Sequence, residues 1–246
     1  MEQFKKQLGT IIIAFAVIIA VWVAASAYRY KFQISEIISV TGLAEKDFTS
    51  DLIVWSGSFS RTGVDLKNAY AELKQDEAAI KSYLNSKGIA DSSIVFASVS
   101  TNKNFQSQYN SQGVEIGSVF TGYTLTGSVR VESGDILRVE KLSREITELL
   151  EKGIELNSFA PQYYYTKLNE LKIDLLAQAS ADAKTRAQTI ANNSGGGLGQ
   201  LRKAGMGVFQ ITGKNANEDY SYGGVFNTSS KEKTASVTLK AEYGVR

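Results

Sequence analysis

Hydrophobic positions change their period several times along the chain. From Leu8 to Ala27 (LGTIIIAFAVIIAVWVAASA) they form a run of twenty residues without a charge. A helix rising about 1.5 Å per residue crosses about 30 Å over such a run, the thickness of a bilayer core. One N-terminal transmembrane helix is expected. Lys5 and Lys6 precede it, which fits either the cytoplasmic flank of an anchor or the start of a signal peptide. Ala25-Ser26-Ala27 has the small-x-small form of a cleavage site. The run is nevertheless longer than the usual 7–15 residue apolar core of a signal peptide. Trp22, Tyr28, Arg29 and Tyr30 suit the membrane–water boundary. Retention is expected, with cleavage to a soluble form as the alternative.

Beyond this run the period shortens to two. Residues 36–44 (EIISVTGLA) read as a first strand. In 52–61 (LIVWSGSFSR) Ile53, Trp55 and Phe59 share one face, and Ser56, Ser58 and Ser60 the other. Residues 65–87 return to helical spacing through Ala69, Leu73, Ile80 and Leu84, and Gly88 stands where a left-handed cap is wanted. Residues 92–101 (SSIVFASVST) and 119–131 (VFTGYTLTGSVRV) read as strands. The polar stretch 102–117 between them reads as a long hairpin loop. Residues 135–152 form a second helix with Ile136, Val139, Leu142, Ile146 and Leu149 on one side, Ser133 as its cap and Gly153 at its end. A strand follows at 162–166, after the only proline, Pro161.

Residues 168–192 form a long helix. Leu171, Leu175, Ala179, Ala183 and Ala187 recur every four residues, a stripe small enough for close packing. Strands at 201–211 and 233–245 close the chain, separated by a polar loop at 212–230 that carries Tyr220, Tyr222 and Phe226. The order is β-β-α-β-β-α-β-α-β-β. It predicts an α+β fold of antiparallel sheets packed with helices, preceded by one transmembrane helix. The expected division is an N-terminal tip and anchor (1–30) and two α+β parts (31–133 and 134–246).

Composition narrows the chemistry. The 246 residues carry a net charge of +2, with no cysteine and no histidine. Disulfides, thiolate nucleophiles and His-dependent triads are excluded within one chain, and most zinc sites lose their usual ligands. No basic face argues for nucleic acid. Catalysis would need paired carboxylates, and the sequence clusters none convincingly. No catalytic, cofactor-binding or metal-binding residue is therefore assigned.

The remaining motifs have plain readings. Gly195–Gly199 (GGGLG) follows a helix and precedes a strand, the reverse of a phosphate loop, so it reads as a helix cap and turn. In Tyr163-Tyr164-Tyr165, strand geometry sends the middle ring to the opposite face, which fits structural packing or a subunit contact. Glu72, Asp76 and Glu77 beside Lys67, Lys74 and Lys81 read as a solvated helix surface. Asp182–Ala187 (DAKTRA) reads as the exposed side of the alanine-striped helix.

In order and spacing, these pieces resemble the SIMPL domain family, the bacterial periplasmic immunogenic proteins and their relatives. Ile38-Ser39-Val40-Thr41-Gly42 resembles the family's I-x-V-x-G strand, and Leu84 to Ile89 its L-x-x-x-G-I helix end. Thr121-Gly122-Tyr123 resembles the G-Y that begins its next strand. Ala181 to Ala187, with Ile190-Ala191, resembles its A-x-A-K-x-K-A-x-x-L-A helix, and Gly195 to Leu201 its glycine turn. Ser50-Asp51 stands where Pro-Asp is usual.

The resemblance implies an extracytoplasmic α+β domain that self-assembles into large rings or hollow barrels. It implies no catalytic residues and no cofactor, and it carries a link to envelope stress tolerance. The expectation is a single-pass protein of the bacterial inner membrane with its body in the periplasm. Its partners would be itself, the lipid bilayer and an unidentified envelope protein. The alternative is a binding module that captures a peptide, lipid or envelope protein through the 212–230 loop.

Overall fold

The apolar run folds as helix α1 (Glu2–Gln33). The computed structural model describes residues 2–33, 37–219 and 221–246. The expected strand start at Glu36 and the loop residue Tyr220 lie outside the described residues, as do the side chains of Lys5, Lys6 and Lys31. Within α1, Ile13–Tyr30 has a mean hydropathy of 1.7, and none of it is buried. The helix is long and apolar enough to cross a membrane.

After α1 the described elements are β1 (Ile37–Thr49), β2 (Leu52–Gly63), α2 (Leu66–Ser86), β3 (Ile94–Phe96), β4 (Ser100–Tyr109), β5 (Glu115–Ser133), α3 (Ile136–Glu145), β6 (Leu156–Ser158), β7 (Gln162–Tyr164), α4 (Leu168–Asn193), β8 (Leu198–Met206), β9 (Gln210–Gly213) and β10 (Glu232–Val245). The fold is α+β; β10 pairs with β8, β5 with β2, β3 and β4, and β2 with β6 and β7, all antiparallel. Two compact units form. One comprises Met1–Glu45, Leu171–Phe209 and Ser236–Arg246; the other comprises Lys46–Glu170 and Gln210–Ala235. Ser133, near which the sequence suggested a division, lies inside the second unit.

In the first unit α4 turns its stripe inward. Leu171, Leu175, Ala179, Ala183, Ala187 and Ala191 are all buried. Strand order in the sheet is β1-β10-β8; β9, which pairs with β10, belongs to the second unit. Alternation along β1 buries Val40, Gly42 and Ala44. The helix comes so close at Gly42 that a Cβ there would sit 2.2 Å from the Ala179 carbonyl oxygen and 2.6 Å from the Ala183 nitrogen. The small residues on both elements are thus one feature: backbone packs on backbone. Gly195, at φ 77°, ends α4 in the left-handed region, and the Gly196 N–H donates to the Ala191 carbonyl at 3.0 Å. The glycine run is a helix cap and turn, as its position predicts.

In the second unit β5 is the spine. β2 pairs along it from Gly63–Tyr123 to Ile53–Ser133. Ile53, Trp55 and Phe59 are buried with Leu125, Val129 and Val131, against Leu73, Ile80 and Leu84 of α2 and Val139 and Leu142 of α3. The serines Ser56, Ser58 and Ser60 take the other face, half-buried. α2 is capped by Asp65, whose side chain accepts from the Asn68 N–H at 2.8 Å, and Gly88 follows it at φ 84°.

Several details depart from the sequence pattern. The expected strand 201–211 is broken at 207–209, between β8 and β9. Asp135, not Ser133, caps α3, accepting from the Arg138 N–H at 3.1 Å; Ser133 Oγ instead accepts from the Asp135 N–H. The expected helix 135–152 becomes a 3-10 turn from Ile146 to Lys152. The expected strand 92–101 is interrupted, giving a 3-10 turn at Asp91–Ser93, then β3, then β4. Most of the expected loop 102–117 is strand, because β4 pairs with β5 out to Tyr109–Glu115. Its Asn, Gln and Ser are polar because both faces there meet water, and a two-residue hydrophobic period needs a buried face to appear.

Asp76 also departs from its expected solvated surface. It is 6% exposed and holds the Arg61 guanidinium twice, at 2.5 Å to Nε and 2.8 Å to Nη2. Arg61 Nη2 also donates to the Gly153 carbonyl at 3.1 Å. The neighbouring Lys74–Glu77 and Lys81–Asp91 pairs are the exposed surface that was expected.

Candidate functional site

Three surfaces stand out, two of which hold the residues expected to act. The first is α1. Trp22, Tyr28, Arg29 and Tyr30 are exposed on its C-terminal half. The Ala25-Ser26-Ala27 triplet is helical throughout. Ile13, Phe15, Val17, Ile18, Val21 and Val23 are exposed on the same helix. A helix satisfies its backbone groups internally, as any segment that crosses a membrane must.

The second surface is the loop between β9 and β10, which is built rather than loose. The Ile211 N–H donates to Val225 and the Asn227 N–H returns to Ile211, both at 2.8 Å. Gln210 braces the same turn: its Oε1 accepts from the Val225 N–H at 2.8 Å and its Nε2 donates to the Ser221 carbonyl at 2.9 Å. Beneath lies Lys233, 2% exposed, donating to the Tyr163 carbonyl at 2.9 Å and to the Asn227 carbonyl. Burial pushes the Lys233 ammonium below its usual value, with the Glu218 carboxylate pulling the other way. Asn227 donates to Glu218, and its Oδ1 accepts from the Ser230 N–H at 2.8 Å. This frame leaves Tyr222 wholly in solvent and Phe226 half exposed.

Lys233→Met tests the frame. It strands two carbonyls but also frees a desolvated ammonium, so overall stability should change by less than about 1 kcal/mol. The loop loses its tie, and limited proteolysis between residues 214 and 225 should quicken about tenfold. An unchanged cleavage rate would show that Lys233 does not hold the loop.

The third surface was hidden in the polar stretch. β4 and the first half of β5 form a two-stranded arm, and residues 105–121 are all exposed. Its tip is a turn in which the Asn110 side chain accepts from the Gln112 and Val114 N–H groups at 2.9 Å each, with Gly113 at φ 77°. Phe105 pairs with Phe120 across the strands, rings 5.8 Å apart and edge to face, and Phe120 meets Tyr123 at 5.1 Å. A signal existed in the sequence. Phe105 and Tyr109 lie four apart just before an Asn-Ser-Gln-Gly turn, which puts both on one face of a strand.

The remaining candidates are structural. Tyr163 donates its hydroxyl to Glu140 at 3.0 Å, Tyr164 donates to Gln162 at 2.8 Å, and the Tyr165 ring lies 4.9 Å from that of Phe48. Asp182 accepts from the Leu43 N–H at 2.8 Å and pairs with Arg186 at the same distance. The Leu43 N–H, with Arg186 adding, holds its carboxyl below the usual range. Asp51 accepts from both the N–H and the hydroxyl of Thr166 at 2.7 Å. Among the described residues no three His, Cys, Asp or Glu side chains gather as a metal site would require.

The model of the SIMPL family, described as a protein of unknown function (DUF541), matches residues 38–243. The chain belongs to this family. No curated protein matches it. The matched span begins in β1 just before Gly42 and ends in β10 at Tyr243, so it takes in Gly42, Asp182 and the alanine stripe.

Proposed function

We propose that this is a non-enzymatic, membrane-anchored protein that assembles with copies of itself into a ring or cage. α1 is the anchor, retained rather than cleaved. The body faces the periplasm from the inner membrane of a bacterium, and the assembly serves envelope stress tolerance. The observation that carries the reading is α1 itself, an apolar span with none of its length buried, joined to a SIMPL body. The exposed apolar side chains of the β4–β5 arm support self-association. Each copy would bring one span, and heterologous contacts close into a ring when the rotation permits.

Mass photometry and electron microscopy of the full-length protein in detergent test this directly. The expected result is one closed particle of many copies, with intact mass showing residues 1–30 still attached. A monomer at micromolar concentration overturns the assembly. A mature chain beginning near Tyr28 overturns the anchor.

A second reading rests on a different observation. The frame around Lys233 holds the 212–230 loop in shape and leaves Tyr222 fully exposed. The loop would then capture a peptide, lipid or envelope protein through Tyr220, Tyr222 and Phe226. Tyr222→Ala with Phe226→Ala should abolish partner capture in a pull-down while particle size stays constant. Capture that survives both substitutions removes this reading.

A further inference from the structure

We infer that the β4–β5 arm is a self-complementary contact that packs against the same arm of a second copy, antiparallel and aromatic face to aromatic face. The inference rests on the homo-oligomer reading above and names one of its contacts. Odd-numbered residues of β4 share a face. On that face Lys103 stands at the base, Phe105 in the middle and Tyr109 near the tip, opposite Tyr123, Phe120 and Glu115 of β5, whose own alternation is broken by register shifts at Asn104/Phe105 and Gln108/Tyr109. The face therefore runs from a cation at the base, through an aromatic centre, to an anion at the tip.

Neither Lys103 nor Glu115 has an ion-pair partner among the described residues. Six residues of strand separate the two ends, about 20 Å at about 3.4 Å each. A two-fold axis through the middle of the face sets each Lys103 against the partner's Glu115 and stacks the two Phe105–Phe120 pairs. A parallel arrangement would oppose like charges instead.

Area and stability argue for a covered arm. Phe105 is 60% exposed, Tyr109 61% and Phe120 40%, about 300 Å² of aromatic surface per copy. That is less than half of the about 800 Å² per partner of a standard interface. The arms alone would not hold a dimer. They suffice where anchoring and other contacts already raise the effective concentration. A two-stranded hairpin is marginal in water by itself, and a second arm supplies the missing layer. A membrane surface suits the arm poorly, because its single lysine is balanced by its single glutamate.

The absence of native cysteine makes the test clean. Ser107→Cys places one thiol at the middle of the proposed face. In full-length protein in nanodiscs, mild oxidation should give a disulfide-linked dimer in good yield. Ser107→Cys with Lys103→Glu, or with Glu115→Lys, should cut the yield at least fivefold. Combining all three should restore it. Particles of native size without cross-linking overturn the arm contact and leave the assembly standing. A parent protein that is itself monomeric overturns both. Yields indifferent to either charge reversal, or not restored by the swap, overturn the antiparallel placement. Protection of the thiol from a water-soluble maleimide by zwitterionic lipid, without dimer, makes lipid the occupant and overturns the inference.

Discussion

Gly42→Ala is expected to unfold the first unit or to lower its stability by at least about 3 kcal/mol, the upper range for overpacking a tight core. The added methyl would lie 2.2 Å from the Ala179 carbonyl oxygen and 2.6 Å from the Ala183 nitrogen. Those atoms belong to the α4 backbone and cannot rotate away, so the helix must retreat from β1. Retreat would stretch the Leu43–Asp182 hydrogen bond and open the packing of the whole stripe. In thermal unfolding followed by circular dichroism, a loss of this size lowers the midpoint by about 10 °C. Ala183→Gly in the same chain should rescue little. It removes the methyl 2.8 Å away but leaves both backbone contacts. Full rescue would show that side-chain crowding alone requires the glycine.

Arg61→Met should cost about 3 kcal/mol, because it leaves Asp76 buried without its cation. Asp76→Ala should cost less, about 2 kcal/mol, because the Arg61 side chain is 33% exposed and water can serve it. The asymmetry follows from burial: the Asp76 side chain is only 8% exposed. Urea titrations of the two variants measure both costs. Equal costs for the two substitutions would sink the account.

The sequence pattern was informative where one side of an element meets a core. Ile53, Trp55 and Phe59 declare β2, and the four-residue stripe declares α4 as a close-packing helix. Gly88 and Gly153 both end their helical segments in the left-handed region. The pattern was silent where both sides meet water. The β4–β5 arm is paired by backbone hydrogen bonds, which leave no trace in hydrophobicity, so its Asn, Gln and Ser looked like a loop. Asp76 misled for a related reason. Its burial depends on Arg61, which lies fifteen residues earlier on another element, and no helical period on α2 records that. The loop frame was equally hidden, because a lysine in a strand pattern gives no sign of two carbonyls waiting beneath a distant turn. Two of the three exposed surfaces were visible from the start, α1 by its length and the 212–230 loop by its composition.

The strand order β1-β10-β8 has a consequence for how the protein is made. β1 follows α1 directly in the order of elements, and its sheet partner is the last of the described strands. β1 therefore emerges before the other described strands and waits unpaired while they are synthesised. Contacts so distant in sequence are slow to form, and an unpaired strand edge invites other chains meanwhile. Biogenesis should therefore depend on a holdase that shields β1 until β10 arrives, and depletion of such a chaperone should yield aggregates.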